Sequence, residues 1–170
     1  HGDWRRQRKV RRRENDGASD DKFGISVATS DGIAVVGAYA DDDNGCDSGS
    51  VYVYELQGGG TWQQTANLTA DDGGSGDYFG ISVATSGGIA VIGSHRDDDN
   101  GDYSGSAYVY ELQGDGTWQQ TAKLTADDGA SDDHFGISVA TSDGIAVIGA
   151  YADDDNGSHP GSAYATELQG

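Results

Sequence analysis

The chain is 170 residues long, carries a formal net charge of −19, and contains one cysteine and no methionine. No apolar run is long enough to cross a bilayer as a helix and no charged, apolar-cored leader opens the chain, so neither a membrane span nor a secretory signal is predicted in it. Without an initiating methionine, the chain is expected to be a mature product or an internal fragment.

Charge is divided unevenly along the chain. Residues 1–13 hold seven basic side chains against Asp3, a net of +6, which leaves −25 for residues 14–170. An acidic body of that size repels nucleic acid, so no nucleic-acid partner is expected for it. The basic run Arg5 to Arg13 has the composition of a nucleic-acid, acidic-membrane or nuclear-import segment. It also reads as the degenerate end of a repeat array, whose terminal units are altered. The second reading is preferred, because Trp4 followed by DGASDDKFG at Asp16 to Gly24 echoes Trp118 followed by DGASDDHFG at Asp128 to Gly136. Residues 1–22 are therefore expected to be a basic segment with the remnant of a preceding outer strand.

From Phe23 the chain repeats itself. FGISVATSDGIAVVGA at Phe23 returns as FGISVATSGGIAVIGS at Phe79 and FGISVATSDGIAVIGA at Phe135, a spacing of 56 residues each time. A fixed period of this length marks a repeat architecture. Each unit predicts four short strands. FGISVATS alternates large and small residues, as an inner strand with one crowded face does. Asp31-Gly32, Gly87-Gly88 and Asp143-Gly144 suit two-residue hairpin turns. IAVVGAYA is apolar on both faces, as a strand inside a sheet is. SVYVYEL is rich in β-branched and aromatic residues, and TWQQTANLT, after the Gly58 to Gly60 turn, sets Trp62 and Leu68 among polar neighbours as an edge strand does. The expected fold is all-β, with propeller-type blades of four antiparallel strands: blade 1 over 23–78, blade 2 over 79–134, and blade 3 over 135–170 without its outer strand. Propellers close with roughly four to eight blades, so these three predict an open arc that meets further blades or self-associates. Phe23, Phe79 and Phe135 are placed at blade junctions, with Phe79 the most buried, and the acidic loops are placed in solvent.

Three recurring features are candidates for chemistry. The first is the loop DDDNG at Asp41, Asp97 and Asp153, whose clustered oxygens and glycine suit a hard cation. Its candidate ligands are Asp41, Asp43, Asp97, Asp99, Asp153 and Asp155. In the register of an alternating calcium loop, however, the first position falls on Ala40, Arg96 and Ala152, so a solvated turn is the preferred reading and calcium binding of millimolar class at most is expected. The second is the inter-blade loop DDGGSGDYFG at Asp71 and its counterpart at Asp127, where His134 replaces Tyr78, and a turn is again preferred. The third is the aromatic set Trp62, Trp118, Tyr52, Tyr54, Tyr108 and Tyr110, whose alternation within strands favours core over sugar-stacking platforms. Cys46 stands where later repeats have Asp102 and Ser158, so a free thiol is expected. The sequons at Asn67 and Asn156 matter only for a chain secreted by a eukaryote. His95, His134 and His159 fall at non-equivalent places, and neither a serine paired with a repeated histidine nor an HExxH or paired-cysteine motif occurs, so no enzyme activity is expected.

The motifs FG-x-S-V-A, an apolar strand ending VVGA, VIGS or VIGA, and GSVYVYE or GSAYVYE resemble the FG-GAP repeats of integrin α-chain propellers and related surface proteins. The resemblance covers about residues 16–170. It implies an extracellular or cell-surface module, non-catalytic, for adhesion or protein–protein interaction, with a glycan-binding propeller as the alternative. In the integrin α chains that it resembles, some blades hold calcium in a D-x-D-x-D-G-x-x-D loop between the FG and GAP strands; here that connection is only Ser30-Asp31-Gly32 and its counterparts. The proline of GAP is absent too, Ala38, Ser94 and Ala150 being followed by Tyr39, His95 and Tyr151.

Overall fold

The computed structural model describes residues 20–154 and 160–168. Trp4, the basic run Arg5 to Arg13, Asp155, the Asn156 sequon and His159 lie outside the described residues. Eleven strands and no helix occur among those described: β1 (Val27–Ser30), β2 (Ile33–Ala38), β3 (Ser50–Leu56), β4 (Trp62–Leu68), β5 (Ser82–Ser86), β6 (Ile89–Ser94), β7 (Ser106–Leu112), β8 (Trp118–Leu124), β9 (Ser138–Ser142), β10 (Ile145–Ala150) and β11 (Ser162–Glu167). They form antiparallel sheets in the orders β1-β2-β3-β4, β5-β6-β7-β8 and β9-β10-β11. The result is an open partial propeller of three blades.

Local chemistry sets each sheet. Asp31 and Gly32 both take left-handed backbone angles (φ 51° and 77°), as do Asp143 and Gly144 (49° and 75°), closing the first hairpin of the blade with a two-residue turn that fits strand twist. The first strand is shorter than its sequence pattern predicts. Phe23-Gly24-Ile25 and its counterparts leave the ladder because Gly24, Gly80 and Gly136 adopt φ of 87–90° and turn the chain across the blade junction.

That turn joins neighbouring blades. The Gly80 amide donates to the Gly93 carbonyl of its own blade (3.0 Å), while its carbonyl accepts the Ser26 hydroxyl of the preceding one (2.8 Å). Gly136 does the same with Gly149 (3.0 Å) and Ser82 (2.7 Å). β1 lies beside β5, and β5 beside β9, so the blades meet chiefly through their inner strands. Between blades 1 and 2 the core combines Ile33, Val35, Val51 and Val53 with Phe79, Ile92, Tyr108 and Tyr110; Val91, Phe135, Ala146 and Ile148 do the same between blades 2 and 3.

Phe79 is 1% exposed and meets Tyr108 and Tyr110 edge-on at 5.4 and 6.1 Å; Phe135 is 2% exposed, and Phe23 is half-buried. The order of burial follows from neighbours, since only Phe79 and Phe135 have a described blade in front of them. Phe79→Ala removes a ring from the centre of the first junction, and we expect a loss of about 3–5 kcal/mol of unfolding free energy. Urea denaturation checks this, and a loss near zero would remove Phe79 from the core.

Candidate functional site

Antiparallel order puts the β2–β3 and β6–β7 loops at the same end of the sheets as the β4–β5 and β8–β9 connections. Backbone hydrogen bonds join them there. The amides of Gly76, Tyr78 and Phe79 donate to the carbonyls of Cys46, Asp47 and Ser48 at 2.9, 3.2 and 3.0 Å. Asp132, His134 and Phe135 repeat the pattern with Asp102, Tyr103 and Ser104 at 2.8, 3.0 and 2.9 Å. Ordered in this way, the loops form one surface running from blade to blade.

The acidic loops are not wholly in solvent as expected. Their leading residues Asp41, Asp97 and Asp153 are 2–3% exposed, because each accepts a hydrogen bond from the tyrosine of the neighbouring strand: Tyr52 at 2.6 Å, Tyr108 at 2.8 Å and Tyr164 at 2.7 Å. The second oxygens of Asp41 and Asp97 accept the amides two residues on, from Asp43 (3.1 Å) and Asp99 (3.3 Å), which forms the tight loop. A carboxylate needs such partners to be stable in the interior. In the second blade Asp97 also accepts from Ser106 (2.9 Å) and Lys123 (3.0 Å), and the Lys123 ammonium reaches Asp72 (2.7 Å) and Asp99 (2.6 Å) as well. Burial alone would lower the lysine pKa, but the hydrogen bonds to Asp72, Asp99 and Asp97 outweigh it and hold the ammonium above the usual lysine range. Tyr108 is held well above the ordinary phenol range, by burial first and then by Asp97 and Asp72. The first blade has Asn67 at the Lys123 position, where its amide donates to Asp43 (3.1 Å). Among the named candidates, the structure thus joins Asp97 to Asp99 through Lys123 and Asp41 to Asp43 through the loop backbone, with Asp153 in the third blade and Asp155 outside the described residues.

The second element of the surface is a row of rings that sequence reasoning missed. Tyr39, Tyr78, His95, His134 and Tyr151 follow one another with centroid separations of 4.8, 5.8, 5.4 and 5.3 Å. Tyr103 stacks on His134 at 6.0 Å, and the Arg96 guanidinium lies over Tyr78 (4.3 Å) and Tyr103 (5.3 Å). Tyr39, His95 and Tyr151 are the same position of successive repeats, and Tyr78 and His134 are another. The two histidines were legible as members of two series offset from each other; only blade docking shows that the series interleave. Of the candidate aromatics, all read as core, Tyr52, Tyr54, Tyr108 and Tyr110 are buried, whereas Trp62 and Trp118 on the outer strands lie only partly buried against the core.

His95 is 9% exposed, and its Nδ1 makes no hydrogen bond. Burial, then His134, then Arg96 depress its pKa to about 4. A histidine depressed below its unfolded value of 6.5 must fold neutral, so the unfolded chain takes up the proton first. Stability from this site is complete above pH 6.5 and falls as pH drops from 6.5 to 4. The expected loss is on the order of 2–3 kcal/mol. His95→Tyr, which installs the residue found in the other two repeats, should flatten the urea-midpoint profile over that window; an unchanged profile would assign the pH dependence to other groups.

The Cys46 thiol is exposed and its pKa is raised by Asp47 and then Asp42, which keeps it protonated and weakly nucleophilic. In the three described blades the integrin-type calcium loop has no place between the first two strands, because Ser30, Ser86 and Ser142 pair directly with Ile33, Ile89 and Ile145 across two-residue turns.

A search of curated proteins found no match. A family model described as the FG-GAP repeat matches residues 4–54, 62–110 and 118–166. The second and third matched units each run from an outer strand, β4 or β8, into the first three strands of the next blade. On three matched repeats that cover most of its length, the chain belongs to the FG-GAP repeat family and is an integrin-like propeller module.

Proposed function

We propose that this module is a non-catalytic protein-interaction or adhesion unit of an extracellular or cell-surface protein, and that it binds through the loop end of its blades. The observation that carries the reading is the continuity of that surface: the backbone-locked acidic loops of blades 1 and 2 lie beside a ring ladder that runs from Tyr39 of blade 1 to Tyr151 of blade 3. Aromatic residues held rigidly lose little entropy on contact, which favours them as anchors. The carboxylates around them, within a body of net −25, favour a protein ligand that presents lysine or arginine. FG-GAP membership supports the extracellular setting, and no helix among the described residues is long and apolar enough to cross a membrane. Calcium enters this reading only as a weak, millimolar-class ligand of the acidic loops.

Tyr103 and Tyr151, 42% and 61% exposed, are the accessible members of the ring set. Replacing both with Ala should weaken binding to a captured protein ligand at least about tenfold while leaving the fold intact. Raising the salt should slow association. Unchanged affinity in the double variant would move the interface elsewhere, and saturable, sugar-specific binding on a glycan array would replace the protein ligand with a carbohydrate.

A further inference from the structure

Arg96 is a cation without a carboxylate on an acidic surface. Of the other lysines and arginines described, Lys22 pairs with Asp20 at 3.3 Å and Lys123 with Asp72, Asp97 and Asp99 at 2.7, 3.0 and 2.6 Å. The Arg96 guanidinium makes neither an ion pair nor a hydrogen bond with any described residue. It rests on rings instead, over Tyr78 of the β4–β5 connection at 4.3 Å and Tyr103 of the β6–β7 loop at 5.3 Å. Nε is shut off from solvent there, while the equally unbonded Nη atoms keep contact with it. The acids that follow it in the chain are engaged elsewhere: Asp97 with Ser106, Tyr108 and Lys123, Asp98 with the Tyr103 amide (2.7 Å), and Asp99 with Lys123. Neither the repeat nor the fold calls for this arginine, since Ala40 and Ala152 hold its place in blades 1 and 3. Tyr103 likewise stands where those blades have Asp47 and His159, so blade 2 departs from its own repeat at two positions whose side chains meet.

We propose that Arg96 receives the carboxylate of an aspartate or glutamate side chain of the protein ligand, so that the segment which meets the acidic loops with lysine or arginine carries an acid among its bases. The inference rests on the loop-end reading and adds a charge pattern to it. Ring contact satisfies the charge of a guanidinium but uses none of its in-plane N–H donors, and a buried donor left unpaired is costly. Those donors form a planar fork that matches the two oxygens of a carboxylate. Tyr78 and Tyr103 also hold the side chain in place before the ligand arrives, which lowers the entropy lost on binding. Charge narrows the choice of anion. A single cation followed by Asp97, Asp98 and Asp99 suits the one charge of a carboxylate, whereas a phosphate of nearly two charges is repelled by them. A polypeptide is favoured over an acidic sugar as the source, because one short segment can offer bases to the loops and an acid to Arg96 together.

The test sorts a bead-displayed random heptapeptide library with the labelled full chain, and in parallel with Arg96→Ala and Arg96→Lys, each checked for an unchanged far-ultraviolet spectrum. Alanine is the residue of the other two repeats, and lysine keeps the charge without the fork should the alanine variant misfold. Peptides selected by the wild type should be basic and carry an aspartate or glutamate. Exchanging that acid for Asn or Gln in the resynthesised peptide should weaken binding at least about tenfold. The same exchange should leave binding to Arg96→Ala unchanged and should matter less to Arg96→Lys than to the wild type. If Arg96 serves only to brace Tyr78 and Tyr103, Arg96→Ala weakens the acid peptide and its amide twin alike, and that constant ratio overturns the proposal. Selected peptides that are basic but hold no acid overturn it as well and leave the loop-end reading standing, whereas a library from which no peptide is enriched overturns both. Arg96-dependent binding of glycans that carry sialic or uronic acid, with no acid in the selected peptides, would transfer the carboxylate to a sugar and overturn the protein source.

Discussion

Gly93→Ala is expected to separate blades 2 and 3. A methyl group on Gly93 would stand 1.8 Å from the Gly136 carbonyl oxygen and 2.3 Å from the Ser82 hydroxyl. Gly37 is placed alike, 2.0 Å from the Gly80 carbonyl. The obstacle is backbone, and that backbone is itself fixed by the Gly136 amide on Gly149 and by the Ser82 hydroxyl on the Gly136 carbonyl. Relief therefore requires the blades to move apart, opening the cluster of Val91, Phe135, Ala146 and Ile148 to water. Overpacking of a well-packed core costs about 1–3 kcal/mol, and loss of the inter-blade hydrogen bonds raises the figure to on the order of 5 kcal/mol. Gly114→Ala, in the β7–β8 turn with nothing near its added methyl, is the control and should change stability by less than about 1 kcal/mol. Equal effects from the two would show that the Gly93 site can relax and that the blade junction is softer than its geometry indicates.

This glycine shows how much of the fold was legible in advance. The period, the hairpin turns at Asp31-Gly32 and Asp143-Gly144 and the strand bodies are local or nearest-neighbour features, and they follow from alternation and turn chemistry. Gly37, Gly93 and Gly149 were visible as a repeated letter at the end of an apolar strand, with no local reason to be glycine. The reason at Gly37 and Gly93 is a carbonyl group more than 40 residues away, brought up by the next blade. The histidines failed to stand out for the same reason. His95 and His134 belong to different repeat positions, so a comparison of repeats alone separates them, while the structure sets their rings 5.4 Å apart. Asp41, Asp97 and Asp153 were read from composition as solvated turn residues. Their burial depends on Tyr52, Tyr108 and Tyr164, each 11 residues downstream and across the sheet.

Asp97→Ala should produce the second large effect, and it separates the structural reading of the acidic loop from a purely solvated one. The Asp97 side chain is 4% exposed and gathers Ser106, Tyr108, Lys123 and the Asp99 amide. Its removal leaves the Ser106 hydroxyl buried with one bond fewer and strips the most buried carboxylate from an ammonium that is itself only 17% exposed. Breaking one side of a buried pair typically costs about 3–5 kcal/mol, much of it the burden of the partner left behind. Here Asp72 and Asp99 continue to hold Lys123, so the lower part of that range is expected. Asp154, the exposed second acid of the third loop, should cost less than about 1 kcal/mol on replacement by Ala. A double-mutant cycle with Lys123→Ala completes the test, because a shared network gives a coupling energy of about 0.5–3 kcal/mol whereas independent surface charges give nearly none. If Asp97→Ala and Asp154→Ala unfold at the same urea concentration, the carboxylate is not holding the loop against the sheet, and its burial would have to be assigned to a role outside folding.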